Sequence, residues 1–425
     1  MKGFNRDFKI LIFGQIISIF GSSVLRFALS LYVLDLTNSA TIFGTIMGLS
    51  IVPAIIISPI GGAIADRFDK KKIMVILDLC SSILIILFAM LLFSGNGTVI
   101  SIGVLLMALT LISSMYQPAV QASIPALVPK ELLLKSNGIV SGVVSAANFV
   151  GPIAGSVLYS FTSINVIVVV SAIFFIAAAV IEIFMKIPFD KRAPEPFAQM
   201  VISDIKQGIS YVIHDDRFIL KSIGIAFTVS LFVAPMFFVG LPYMIKVLFN
   251  MPDTYFGFAQ SGISLSIVFS AMAIGLLKSK IRGDNLYLWI TGCAAVYFGM
   301  AFGTSPFIES AFAKYVFVSI SSMLVMFALT VVNIYLNTII QEKTPGNMLG
   351  KVMSIQAAAA TTAVPIGQIL FGFLVDVFSS QIYILIAIIG VLSLLISLMV
   401  KQIYNVKSVQ NEHERMGIYD DLKSR

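Results

Sequence analysis

Apolar runs of about 20 residues, each nearly free of charge, recur along the whole chain and are broken by short polar turns. About 20 residues is what a helix needs to cross roughly 30 Å of hydrocarbon. The pattern predicts twelve spans, at 10–34, 42–64, 73–93, 99–123, 138–161, 166–186, 218–243, 254–277, 285–303, 310–340, 350–373 and 382–403. Helices satisfy their own backbone polar groups in lipid, and the alternating segments of a membrane β-barrel do not occur. The expected fold class is therefore an all-α membrane protein with 12 transmembrane helices in two pseudo-symmetric six-helix bundles.

Composition and charge sharpen this picture. Mean hydropathy is +0.99, beyond the range of water-soluble globular chains. With the N-terminus in the cytoplasm, the inner loops and ends collect 25 of the 28 Lys and Arg, the outer loops hold Lys246 and Lys314, and Arg26 stays inside the first span. Such a bias places both termini in the cytoplasm and accounts for the net charge of +7 without a nucleic-acid partner. Cys80 and Cys293 both fall inside spans and His214 and His413 outside them, so neither a disulfide framework nor a metal cluster is expected. The N-terminal run is too long for a signal-peptide core and reads as a retained first span. No cofactor is expected. The partners are a lipid bilayer, a small-molecule substrate and an ion, acting on a monomer.

The longest loop, 187–217, carries KIPFDKRAPEPF and then Phe197, Val201, Ile205, Ile209 and Ile213 at intervals of four. It reads as a linker followed by an amphipathic helix on the inner membrane surface. The expected domains are a bundle at 1–186, this linker at 187–217, a second bundle at 218–403 and a mobile polar tail at 404–425. A shift of 213 residues puts Gly62 on Gly275 and Pro152 on Pro365. One offset that matches two separated landmarks and equals half the chain marks an internal repeat, the sign of a transporter with its site between the halves.

Six of the seven residues Asp66–Lys72 are charged. Lys70, Lys71 and Lys72 fix topology, but Gly62 and Asp66, one turn apart at the end of span two, ask for more. Gly62 permits close approach of another helix. Asp66 offers a carboxylate to the free N–H groups of a facing helix N-terminus, a contact worth about 0.3–1 kcal/mol that one conformation makes and another breaks.

Gly62-x-x-x-Asp66-Arg67-x-x-x-Lys71-Lys72 resembles the loop signature of the major facilitator superfamily. The resemblance implies that Asp66 latches the halves on the cytoplasmic side against the start of span eleven, near Gly350 and Lys351. Asp69 stands where the family usually has glycine, in a turn that Asp tolerates. The stretch AANFVGPIAGS resembles the superfamily's span-five antiporter motif, with Gly142, Gly151, Pro152 and Gly155 giving a smooth sliding surface and a kink. YQPAVQASIPALVPKELLLKSN, ISDIKQGISYVIHDDRF and IIQEKTPGNMLGKVMS resemble the drug-efflux branch that includes bacterial macrolide-efflux proteins. Span four has no arginine of the kind that many drug:proton antiporters carry there.

Polar residues within spans form stripes. Gln15, Ser18, Ser22, Arg26 and Ser30 lie on span one; Met107, Thr110, Ser114, Gln117 and Gln121 on span four; and Ser319, Ser322, Met326, Thr330, Asn333 and Asn337 on span ten. Spacings of three to four put each set on one helix face. The superfamily lines its cavity with spans one, four, seven and ten, so these residues are the substrate candidates. Arg26 is the most expensive, since a central charge costs about 2.5–3.5 kcal/mol or more. The acids available for proton coupling are Asp35, Asp78, Glu182, Glu309 and Asp376, all near span ends; for Asp78 and Glu182 a structural pairing with nearby Lys or Arg is the plainer expectation.

Together these residues predict a non-enzymatic secondary transporter of the bacterial inner membrane. It exports a bulky amphipathic or apolar, drug- or macrolide-like compound by alternating access, coupled to proton influx, with Na⁺ as the alternative ion. The 34 Phe and 19 Met suit an adaptable cavity wall. The alternatives are uptake, or a specific metabolite or siderophore transporter on the same fold. Another class, a membrane-embedded enzyme or lipid scramblase, has no evident nucleophile–base pair, and an ATP-driven pump has no phosphate-binding loop.

Overall fold

The chain enters its first helix at Asn5, whose side chain accepts from the Phe8 N–H and caps it. A computed structural model describes residues 4–188, 206–215, 217–277, 285–346 and 348–423. It does so without the side chains of 58–63, 65–67, 215, 217, 275–277 and 404–423. Twelve helices in it are long and apolar enough to cross a membrane, and no strand occurs among the described residues. They are α1 (Arg6–Thr37), α2 (Ala40–Arg67), α3 (Lys70–Phe93), α4 (Val99–Leu127), α5 (Leu133–Phe161) and α6 (Ile164–Ile183), then α7 (Phe218–Leu248). There follow α8 (Asp253–Leu277), α9 (Leu286–Thr304), α10 (Ala311–Lys343), α11 (Leu349–Val377) and α12 (Ile382–Lys423).

The helices fall into two compact units. The first holds Met1–Ser203 together with Phe237–Ser264 and Val364–Asp376; the second holds Asp204–Met236, Leu265–Ala363 and Val377–Arg425. In the first unit, α1 packs on α5 and α6, α3 on α4 and α6, and α2 on α4. Small residues make the closest approaches. A Cβ on Gly14 would stand 2.9 Å from Glu182 Cγ, and one on Gly21 3.0 Å from Phe174 Cβ, so α1 meets α6 at glycine. Opposite that contact, Val166, Val169, Val170, Ile173, Ile176, Val180 and Ile183 of α6 are exposed, an apolar face suited to lipid. In the second unit α9 packs on α10 and α12, and Val212, Ile219, Ile223, Ile340 and Val352 form a buried cluster.

Several expectations change. α7 runs past residue 243 to Leu248 and is wound wide at Met236–Gly240 and Met244–Leu248. Pro235 and Pro242 give the reason: each removes an N–H and crowds the preceding turn, which a wider turn relieves. Lys246 consequently lies within the helix and not in a loop. Asp69 has φ −60° and accepts from the Lys71 and Lys72 N–H groups, so it is the N-cap of α3 and not a left-handed turn residue. The tail continues α12 as helix to Lys423. Of the linker stripe, Phe197, Val201 and Ile205 lie outside the described residues. The helix at 206–215 turns Gly208 onto Ile355 and Lys351 of α11 and buries Val212, leaving Ile209 and Ile213 exposed.

Candidate functional site

Arg26 reaches from α1 to α4. Its Nη1 donates to Thr110 Oγ1 (2.9 Å), its Nη2 to Ser113 Oγ (3.5 Å) and its Nε to Ser22 Oγ (3.2 Å). The Thr110 and Ser113 hydroxyls donate in turn to the Leu106 and Leu109 carbonyls, which points their lone pairs at the guanidinium. Among the described residues no carboxylate pairs with Arg26. Ser22, Arg26, Thr110, Ser114 and Gln117 are all half-buried and Gln121 is exposed. These stripes of spans one and four therefore meet at a guanidinium with two N–H groups that no described residue engages.

The rest of the span-one stripe behaves differently. Gln15 is fully buried, with neither amide atom bonded to another protein group, and Ser18 donates to Asp78 Oδ1 (2.9 Å). Across from them Tyr116 Oη donates to Glu182 Oε1 (2.6 Å). Asp78 and Glu182 are 1% and 0% exposed, and neither forms an ion pair with a described residue. Two expectations are corrected here. Gln15 belongs to the interior of α1, α3, α4 and α6 and not to a cavity wall. The two acids pair with hydroxyls and not with Lys or Arg. The Lys186 backbone N–H donates to Asp7 Oδ1 (3.0 Å).

Polar contacts bind one end of the first unit. Lys246 of α7 contacts Asp35 of α1 (2.9 Å) and Asp253 at the start of α8, and lies over the Tyr159 ring of α5. Tyr159 Oη donates to Asp35. Nearby, Asp376 at the end of α11 accepts from Ser39 Oγ (2.7 Å), the Ala40 N–H (2.8 Å) and the Thr41 N–H (2.9 Å), the first turn of α2. That is a carboxylate seated on a helix N-terminus, at the end opposite Lys71. Glycines bring the backbones together there: a Cβ on Gly44 would overlap the Gln368 carbonyl oxygen, and one on Gly372 the Ala40 carbonyl oxygen. Glu309 is exposed in the turn before α10.

The span-five motif divides. A Cβ on Gly151 would stand 2.6 Å from Ser23 Cβ and one on Gly155 3.1 Å from the Val24 carbonyl, so α5 lies tight on α1, with Pro152 also buried. Gly142 is exposed, and a Cβ there would meet no described atom within 4 Å, so the tight α5 contact among the described residues does not extend that far. Next to the motif, Ser261 and Ser264 of α8 donate to the Phe149 and Asn148 carbonyls (2.7 and 3.0 Å). The side chains of Gly62, Asp66 and Arg67 lie outside the described residues. Lys71 is half-buried and Lys72 exposed. Gly350 is exposed, and Lys351 donates to Gln207 (2.6 Å).

In the second unit Gln356 Nε2 donates to Asn337 Oδ1 (2.6 Å) and Asn337 Nδ2 to Asn333 Oδ1 (2.8 Å), while Met326 and Thr330 are half-buried one to two turns away. Ser319 and Ser322 are buried. Sequence reasoning missed Tyr116, Tyr159, Asp253 and Gln356. The available signal was weak: a buried Tyr hydroxyl or Gln amide asks for a partner, but nothing in the chain names it.

Residues 11–360 match the family model of the Major Facilitator Superfamily. The chain is 24% identical over 369 residues to Macrolide efflux protein A of Streptococcus pyogenes, covering 85% of this chain and 88% of the relative. It is 21% identical over 365 residues to the Staphyloferrin A transporter of Staphylococcus aureus, with 84% and 87% covered. The crystal structure of the nucleoside transporter NupG superposes with a TM-score of 0.73 at 10% identity, covering 94% of this chain and 99% of that one, a likeness of fold. With a family match over most of its length and twelve spans in the matching fold, the chain belongs to the Major Facilitator Superfamily and resembles its macrolide-efflux branch.

Proposed function

We propose that the protein is a secondary active exporter of a bulky amphipathic compound, drug- or macrolide-like, working by alternating access with proton influx, as a monomer with both termini in the cytoplasm. The observation that carries the reading is the group of polar contacts around Lys246 and Asp376. Each joins the tip of one helix to another through a charge on a partly exposed side chain, a kind of contact that breaks and reforms at modest cost. Reading the Lys- and Arg-rich ends as cytoplasmic places these contacts outside, where they would close the path whenever the inner end opens. The Asp66–Arg67 loop would do the reverse at the inner end. The Macrolide efflux protein A relatives support export and the substrate class.

The test is accumulation of radiolabelled erythromycin in everted vesicles under an imposed proton gradient. Gradient-driven uptake that an uncoupler abolishes is the expected result; equal uptake in vesicles without the protein would remove the proposal.

A second reading, a specific metabolite or siderophore transporter, is favoured by Arg26. A guanidinium that among the described residues has hydroxyls and no acid for partners suits a substrate that brings its own negative group. On either reading Arg26→Ala is expected to lower transport at least about tenfold, the loss of roughly 1.4 kcal/mol that one charge-assisted contact supplies. Arg26→Lys serves as the conservative control. Transport kinetics separate the readings: a KM rise with unchanged maximal rate, seen only with a carboxylated substrate, selects the second.

A further inference from the structure

Two carboxylates lie inside the first unit with no ion pair among the described residues. Asp78 of α3 and Glu182 of α6 meet α1 one turn apart, at Ser18 and at Gly14; each takes one hydroxyl hydrogen bond, and each keeps one oxygen, Asp78 Oδ2 and Glu182 Oε2, buried without a protein partner among the described residues. Gln15 is the independent sign. It is fully buried and both its amide atoms are unpartnered. On its own helix it is flanked by the two residues that touch the acids: Gly14 against Glu182 and Ser18 against Asp78.

The charged and titratable groups of the surrounding helices sit elsewhere. On α1, Arg26 is held by the α4 hydroxyls, and Asp7 binds the Lys186 N–H. On α3, Lys70, Lys71 and Lys72 are in the first turn, and Cys80 is exposed. On α4 the group facing the pair is the Tyr116 hydroxyl. On α5, Lys135 lies over Phe4 and Tyr159 on Asp35, at opposite ends. The Asp66 and Arg67 side chains at the end of α2 lie outside the described residues.

We infer that Asp78, Glu182 and Gln15 form a site that takes up and releases a proton inside the helices α1, α3, α4 and α6. The inference rests on the proton-coupled reading and names the place where the ion is held. Asp78 Oδ2, Glu182 Oε2 and Gln15 Oε1 are buried acceptors, and Gln15 Nε2 a buried donor, none with a hydrogen-bond partner among the described residues. One proton on either free carboxylate oxygen turns an acceptor into a donor and removes one of two uncompensated buried charges, each of which is costly alone. No bond other than O–H forms or breaks, and the proton comes from and returns to water. Tyr116 is a positioning residue, one position from Gln117 of the half-buried stripe, so α4 touches both the ion site and the substrate candidates.

The experiment is a pH titration of the full-length protein in lipid nanodiscs, read by infrared difference spectroscopy of carboxyl C=O stretches. The wild type is expected to show a titrating carboxyl band that is lost in Asp78→Asn and in Glu182→Gln and whose midpoint moves in Ser18→Ala. Melting in NaCl and in choline chloride is expected to be equal. Identical titrating bands in the wild type and both variants would overturn the inference. So would a NaCl stabilisation of the wild type that Glu182→Gln abolishes, which assigns the site to Na⁺. Gln15→Leu, which touches neither acid, keeps the test open where a carboxyl variant fails to fold: it too is expected to displace the midpoint, and an unchanged one counts against the site. These readouts need no transport, so failure of the export reading in the erythromycin assay leaves a separate record.

Discussion

Gly372→Leu is expected to abolish export by holding α2 and α11 apart, and Gly44→Leu to do the same from the other side. At Gly372 a Cβ would overlap the Ala40 carbonyl oxygen and stand 3.1 Å from its carbon and from Thr41 Cα; at Gly44 it would overlap the Gln368 carbonyl oxygen and stand 3.3 Å from Gly372 Cα. These are backbone atoms, which cannot rotate away as a side chain does. Overpacking of this kind costs about 1–3 kcal/mol per site. The strain falls where Asp376 holds Ser39, Ala40 and Thr41, so opening the helices also breaks three charge-assisted bonds. At about 1.4 kcal/mol per tenfold, 3 kcal/mol shifts the closed-to-open ratio at that end roughly a hundredfold. Spin labels at the exposed Leu36 and Phe373 read this directly in proteoliposomes. Longer and broader distances are expected in either variant, with erythromycin transport lost. Unchanged distances together with unchanged transport would show that the α2–α11 approach does not govern access.

The twelve spans were legible because membrane helices announce themselves by length and apolarity, and each predicted run overlaps a helix found. Arg26 and the α4 stripe were legible for a related reason: a period of three to four puts polar groups on one face, and the two faces meet at Thr110 and Ser113. Pairings across the chain were not. Asp78 and Glu182 each read as an acid near a basic turn, because sequence distance to Lys72 or Lys186 is visible and the contacts with Ser18 and Tyr116, 60 and 66 residues away, are not. Gln15 shared a period with Arg26 and so was assigned to the same surface. Helix α1 is covered by other helices on several sides, and a single stripe there serves two surroundings, interior at Gln15 and half-buried at Arg26. The apolar run predicts an end at 243, which leaves Lys246 in a loop; the chain instead widens its turn and carries the lysine on.

That misplaced lysine yields the second large effect. Lys246→Ala is expected to destabilise closure at its end by about 2 kcal/mol and to reduce export more than tenfold. The Lys246 side chain is 10% exposed, against 44% for Asp35 and 21% for Asp253. The Asp35 arm is wet enough to count as a surface pair, worth about 0.2–1 kcal/mol. The Asp253 arm is drier, and its hydrogen bond to a charged group contributes about 1.5–3 kcal/mol. Removing the cation also leaves two carboxylates facing each other, with Tyr159 still committed to Asp35, so repulsion adds to the lost attraction. Two further variants isolate that contribution. Lys246→Arg keeps the charge and should retain most of the activity. Asp253→Asn placed on Lys246→Ala removes the repulsion and should recover part of the loss, a coupling that independent sites do not show. The same label pair at Leu36 and Phe373 reports the conformational side. Additive losses in the double variant, or Lys246→Arg as defective as Lys246→Ala, would mean that the lysine acts through packing on the Tyr159 ring and not through its charge.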